Sequence, residues 1–165
     1  MTSFSNSETT IRPLEKGDLA GVLEMVRELA AFEHLSDQAV ATKADYEEAF
    51  FGDSPTAEAL VAEKNEGLVG YAIFFRTFSS FVGKPGLWLE DLYVRPDHRR
   101  VGIGKELLKT GARIAAERGY GRYEWAVLDW NQTAISVYTS VGGELLDEWR
   151  IVRMNRAALE NFTYS

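Results

Sequence analysis

The stretch LEDLYVRPDHRRVGIGKELL, residues Leu89–Leu108, decides how this chain is read. It begins as a strand, LEDLYV, and ends as the opening of an amphipathic helix, GKELL. Between the two, Arg95, Arg99, Arg100 and Lys105 gather around Gly102 and Gly104. The whole chain carries a net charge of −7, so this local excess of cations marks a place where an anion binds. A helix N-terminus offers an anion unpaired N–H groups and the positive end of the helix dipole. Glycine at 102 and 104 lets the ligand come close to the backbone, with no Cβ in the way.

Three kinds of phosphate site compete for this arm. A nucleoside-triphosphate loop needs four residues between its glycines and a Ser or Thr after its Lys, and here Glu106 follows Lys105. A dinucleotide fingerprint needs a third glycine where Leu107 stands, and a tight turn where this chain inserts RPDHRR. Glu124 stands at a suitable distance for its ribose acid, but that alone is weak support. The third kind fits: the backbone N–H groups of Arg100, Val101, Gly102, Ile103, Gly104 and Lys105 wrap a pyrophosphate at the start of a helix.

Outward from the arm, the hydrophobic period alternates between helix and strand. TTIRPL reads as a short strand, and a helix follows with Leu19, Val22, Leu23, Val26, Leu29 and Ala30 on one face after an Asp18 cap. A second helix opens at Thr42 and closes at Gly52. EALVAEK and LVGYAIFFRT form a hairpin about the turn NEG, and LWLEDLYV is the next strand. After the arm, Ile103, Leu107, Leu108, Gly111, Ile114 and Ala115 make a helical face that ends near Gly119. RYEWAVLDW is a further strand, NQTAISVYTSVGG a short helix, and ELLDEWRIVRM a last strand. The expected architecture is a single α/β domain over 1–165, with a core of about 9–156 and a mixed sheet flanked by helices, in the order β-α-α-β-β-β-α-β-α-β.

Composition narrows the chemistry. The chain has no cysteine, which removes disulfides, thiolate metal sites and a cysteine nucleophile, and its two histidines are too few for a histidine-rich metal site, so no metal is expected. The acidic balance argues against nucleic acid and suits a small cationic partner. No apolar run approaches bilayer length and the first ten residues are polar, so no membrane contact and a cytoplasmic setting are expected.

Arg99-x-x-Gly102-x-Gly104 between a strand and a helix, followed by a strand that leads into Asn131-x-x-Ala134-x-x-x-Tyr138, resembles the GCN5-related N-acetyltransferase superfamily from IRPLEKGD to WRIVRM. The resemblance implies acetyl-CoA as co-substrate and two strands that splay apart at the site. Pantetheine then pairs with the freed backbone of Leu92, Tyr93 and Val94, the pyrophosphate lies on the arm, and Asn131, Gln132, Thr133 and Ala134 complete the cofactor channel. ELAAFEHL, WLEDLYV and AVLDWNQTAISVYTSVGG resemble the diamine acetyltransferase branch, which holds the spermidine/spermine and thialysine enzymes. That likeness places Phe32, Glu33, Glu90 and Asp91, with Glu124, Trp125 and Ala126, around an amine. It implies Glu90 as base, with Asp91 the alternate, Tyr138 as the acid beside the cofactor sulfur, and a homodimer. Where the polyamine enzymes carry Asp-Pro-Trp before Gly-Lys, this chain has Ser79, Ser80 and Phe81. A lysine-like amine or a short diamine is therefore expected ahead of spermine, with protein N-termini, antibiotics or a silent acetyl-CoA-binding module as alternatives.

Overall fold

Thr42 and Gly52 show how closely local chemistry sets the elements. In a computed structural model, which describes residues 2–3, 9–65 and 67–164, the Thr42 hydroxyl accepts from the Asp45 N–H at 3.2 Å while the Asp45 carboxylate accepts from the Thr42 N–H at 2.7 Å. This reciprocal cap starts the helix where the sequence places it, and Gly52 ends it. The elements run β1 (Thr2–Ser3), β2 (Thr10–Pro13), α1 (Leu19–Phe32), α2 (Lys43–Phe51), β3 (Glu58–Lys64), β4 (Gly67–Ser79), β5 (Lys84–Val94), α3 (Ile103–Glu117), β6 (Arg122–Trp125), α4 (Gln132–Ser140) and α5 (Arg156–Tyr164). Their contacts divide the chain into two units, Met1–Ala126 and Val127–Ser165.

In the first unit the six strands lie in chain order, antiparallel except for the β5–β6 pair, which is parallel. Alternation along the strands gives the sheet two apolar faces. Leu14, Ala59, Val61, Tyr71, Ile73 and Tyr93 pack with Leu19, Val22 and Met25 of α1, and Tyr46, Phe50 and Phe51 of α2 lie against the same cluster. On the opposite face α3 presents Ile103, Leu107, Leu108 and Ala115 to β3, β4 and β5. Gly111 of α3 touches the Tyr123 ring so closely that a Cβ has no room.

Three expectations are corrected. Asp18 stands at the start of α1 but makes no side-chain cap there; its carboxylate accepts from Arg12 at 2.7 and 3.0 Å and from the Glu15 N–H at 2.8 Å. The strand read over RYEWAVLDW stops at Trp125. ELLDEWRIVRM forms no strand: Trp149, Ile151 and Val152 are exposed and no described strand ladders with them. β propensity expresses a fit to neighbouring strands, and without a partner this segment has nothing to fit. The second unit instead contains α4 and an unanticipated α5. Asn155 caps α5 by accepting from the Ala158 N–H at 2.9 Å, and Arg156 pairs with Glu160 one turn on.

Candidate active site

β5 is where the chemistry assembles. β6 pairs with it only from Gly86 to Leu89, so on that side Glu90 to Val94 have no strand partner among the described residues. This is the expected opening between strands. Arg95 donates its N–H to the Val69 carbonyl at 2.9 Å, which makes the neighbouring Gly70–Val94 pair a non-hydrogen-bonded one. Val94 and Leu92 thus turn their N–H and C=O toward the open edge, whereas the backbone of Tyr93 faces β4. The Val94 carbonyl already accepts from Arg99 Nε at 2.7 Å.

The arm follows directly. Arg100 (φ 66°) and Gly102 (φ 90°) both adopt the left-handed conformation, three residues and one residue before α3 begins at Ile103. Left-handed residues are components of the backbone nests that hold anions, and here they lead into the N-terminus of α3, which favours an anion as well. The strain at Arg100 was not foreseeable from a residue type that rarely adopts this conformation. A Cβ on Gly104 meets only Val94 Cγ2, at an ordinary 3.6 Å, so nothing within the first unit requires glycine there. The open space suits a ligand instead, and the residues present fit a pyrophosphate. The cations divide their duties: Arg95 pairs with Glu24 at 3.2 Å and Glu28 at 3.1 Å, and the Arg99 guanidinium lies over the rings of Phe32 and Tyr93 at 5.5 and 5.4 Å. Arg95 therefore ties β5 to α1 and is not a phosphate ligand. Lys105, and with it Lys109, which the sequence reading passed over, line a cleft beside Gly102.

The acceptor side rests on a β-bulge. Ile73 pairs with Asp91 and Phe74 with Leu89, so Glu90 is the extra residue of β5. In a regular strand two adjacent carboxylates point to opposite faces. Across the bulge Glu90 and Asp91 both point to the face of α1. Glu90 is exposed, and its carboxylate accepts from the Trp88 indole N–H at 3.0 Å. Asp91 is half-buried and lies 3.5 Å from the Tyr71 hydroxyl. Burial, then the charges of Glu90 and Glu33, push its carboxyl up to about 6, against the opposing pull of Tyr71. Glu33, the residue that ends α1, is also raised by burial. Tyr46, pushed up to about 12 by burial and by the charge of Asp91, closes the cluster from α2. The sequence reading missed Trp88, Tyr46 and Tyr71; its one usable signal was the Glu-Asp doublet in an apolar strand, which a bulge accommodates.

The structure thus brings Glu33, Glu90 and Asp91 within electrostatic reach of one another, with Phe32 at the end of α1. Glu124 pairs in register with Trp88 and Trp125 with Leu89, so both lie on the short β6 beside the opening, and Ala126 ends the first unit. Glu124 sits 3.8 Å from Arg122, and the Trp125 and Tyr123 rings meet edge to face at 5.0 Å. Asn131, Gln132, Thr133, Ala134 and Tyr138 belong to the second unit. There Asn131 caps α4, its side chain accepting from the Ala134 N–H at 3.2 Å, and Gln132 Nε2 donates to the Asp129 carbonyl at 3.0 Å. Tyr138 lies in the second turn of that helix.

A strand that parts from its parallel neighbour, a glycine-bearing cationic arm at its end and carboxylates on a bulge beside the opening make this end of β5 the candidate acetyl-transfer site. The pattern of the Acetyltransferase (GNAT) family matches residues 23–142, and the chain belongs to that family. It is an amine N-acetyltransferase that takes its acetyl group from acetyl-CoA. A thialysine N-epsilon-acetyltransferase of Sus scrofa is 34% identical over 160 residues, covering 90% of this chain and 94% of that one. The Homo sapiens spermidine/spermine N(1)-acetyltransferase-like protein 1 is 38% identical over 159 residues, covering 90% of this chain but only 23% of its own longer one. Among solved structures, an integron cassette protein from the mobile metagenome of V. cholerae shares the fold with a TM-score of 0.80 at 23% identity, over 97% of this chain and 100% of that one.

Proposed function

We propose that this chain acetylates the terminal primary amine of a compact acceptor, a lysine-like amino acid such as thialysine or a short diamine, and that Asp91 is its base. The observation that carries the reading is the bulge at Glu90, which turns two carboxylates to one face beside the open edge of β5. Glu90, exposed at the mouth, attracts the ammonium and orients it. Asp91, raised to about 6, is a carboxylate at neutral pH yet basic enough to take a proton, directly or through water. The freed amine lone pair then attacks the thioester carbonyl. Glu33 adds negative potential from the end of α1.

Acetyl-CoA supplies the activated acyl group and a thiolate leaving group. The arm from Arg99 to Lys105 would hold its pyrophosphate, and the outward groups of Leu92 and Val94 its pantetheine amides, as an added strand does. Tyr138 is proposed as the acid that protonates the departing sulfur, with Asn131, Gln132, Thr133 and Ala134 lining the cofactor channel; the motif spacing in the resemblance supports this. Glu124, Trp125 and Ala126 are proposed to flank the acceptor. The Thialysine N-epsilon-acetyltransferase relatives support the choice of amine, and the neutral hairpin at Ser79 disfavours a long polyamine. One catalytic domain over 1–165, a homodimer and a cytoplasmic setting belong to the same proposal.

Thiol release from acetyl-CoA, measured across thialysine, lysine, 1,3-diaminopropane, spermidine and spermine, tests it. The expected order of kcat/KM puts the compact amines first. Spermine in the lead would overturn the substrate assignment, and no thiol release with any amine would overturn the catalytic one.

A further inference from the structure

Of Glu33, Glu90 and Asp91, Glu90 alone is exposed. It is the extra residue of the bulge, and the β6 pairing ends one residue before it. Other acids of the first unit are held by cations: Asp18 and Glu63 by Arg12, Glu24 and Glu28 by Arg95, and Glu58 by Arg118. Among the described residues no cation pairs with Glu90. What holds it is the Trp88 indole, whose Nε1–H donates to one carboxylate oxygen at 3.0 Å.

Trp88 is itself well fixed. Phe75 of β4 stands directly across from it and Glu124 of β6 lies in register on its other side, so ladders hold its backbone from both sides. Alternation along the strand puts Trp88 and Glu90, two residues apart, on the same face. Glu124, the other acid beside the indole, turns to Arg122 at 3.8 Å. The kind of donor then matters. An indole N–H donates one hydrogen bond and carries no charge. A cation in its place would also hold Glu90, but it would cancel the negative potential that draws an ammonium. Trp88 restricts the carboxylate and leaves its charge, and its second oxygen, to the acceptor.

We propose that Trp88 is a positioning residue for the acceptor: its N–H fixes the Glu90 carboxylate at the mouth of the site, so that an entering primary ammonium meets an oxygen already in place. The gain is in binding, since the freedom of a long exposed side chain is lost before the acceptor arrives. The inference rests on the reading of Glu90 as the group that attracts the ammonium, and adds what orients that group.

Thiol release with lysine and with 1,3-diaminopropane tests it. Trp88→Phe keeps an aromatic ring opposite Phe75 and deletes the donor, and should raise KM for both amines by a few-fold to about tenfold, the worth of one hydrogen bond. Its kcat and its acetyl-CoA affinity by calorimetry should stay at the parent values. Glu90→Ala should raise KM further, and adding Trp88→Phe to Glu90→Ala should change nothing more. An unaltered KM in Trp88→Phe, or the same penalty with and without Glu90, would overturn the proposal. So would a parallel loss of kcat and acetyl-CoA affinity, which marks a merely structural tryptophan. Nitrogen-15 NMR of the indole N–H groups, with coenzyme A bound, keeps the test independent of turnover and of how Trp88→Phe folds. Glu90→Ala should displace one indole signal, and lysine should displace that same signal in the parent. A shift without thiol release upholds the positioning role and rejects the amine-acetyltransferase reading. An indole signal that neither Glu90→Ala nor lysine moves rejects the role even in an active enzyme.

Discussion

The arm at Arg99–Lys105 and the bulge at Glu90–Asp91 lie on one continuous run of chain and work by opposite means. The arm acts through backbone: two left-handed residues and the start of α3 present N–H groups, while the Arg99 guanidinium is turned to the rings of Phe32 and Tyr93. The bulge acts through side chains: one extra residue aims two carboxylates to one face, and burial retunes one of them. A backbone site tolerates changes of side chain and fails when a conformation is forbidden. A side-chain site tolerates local strain and fails when one functional group is exchanged.

The sharpest way to break this comparison is at Asp91. Asp91→Asn keeps the shape and the contact with Tyr71 but removes the base, and should lower kcat by about 10²–10⁴-fold in thiol-release assays. Because the buried carboxyl is raised, the same change should also increase Tm. Glu90→Gln should cost far less; the reverse order would exchange the two roles. Next is the arm. Gly102→Asp forces a left-handed residue to carry a carboxylate toward the phosphates, and acetyl-CoA affinity by calorimetry should fall tenfold or more, the loss of about 1.5–3 kcal/mol for a charge-assisted hydrogen bond. Gly104→Ala should leave Tm unchanged, since its Cβ makes only ordinary contact with Val94, and yet weaken the cofactor.

The pH profile gives a smaller effect. With the Asp91 carboxyl at about 6, kcat/KM should fall tenfold per unit below that pH. The folded chain keeps this proton down the window from about 6 to the ordinary 3.8, where the unfolded chain releases it. The contribution of this group to stability therefore rises as pH falls through the window, while activity drops. Chemical denaturation and initial rates at the same pH values should move in opposite directions. The smallest effect is expected at Ser79, whose hydroxyl accepts from the Val82 N–H at 3.2 Å within the β4–β5 turn. Ser79→Asp should raise spermine turnover only a few-fold, since an added contact on an exposed loop is worth about 0.5–1 kcal/mol.

Most of the fold was legible because its signals are local. The Thr42 cap, the glycines at 52 and 102 and the helical face of α3 each act over a few residues, and each appears where it was read. The failures were non-local. Asp18 does not cap α1, because Arg12 and the Glu15 N–H claim its carboxylate, and ELLDEWRIVRM had strand composition but no ladder partner among the described residues. At the site, the residue types were legible and their roles were not. Alternation alone would have sent Glu90 and Asp91 to opposite faces, and only the pairing of Leu89 and Asp91 with consecutive residues of β4 shows that they share one.

The hydrogen bond from Arg99 to the Val94 carbonyl has a consequence outside catalysis. A strand with one open side is a template for any stray extended chain, and long, flat, unguarded edges are where proteins associate wrongly. β5 must keep such a side to work. By placing a guanidinium on the last outward carbonyl, the arm removes one docking point for a foreign strand and sets a positive charge at the mouth of the gap. The residue that opens the anion-binding arm thereby also acts as a gatekeeper against aggregation during the intervals when no ligand covers the edge.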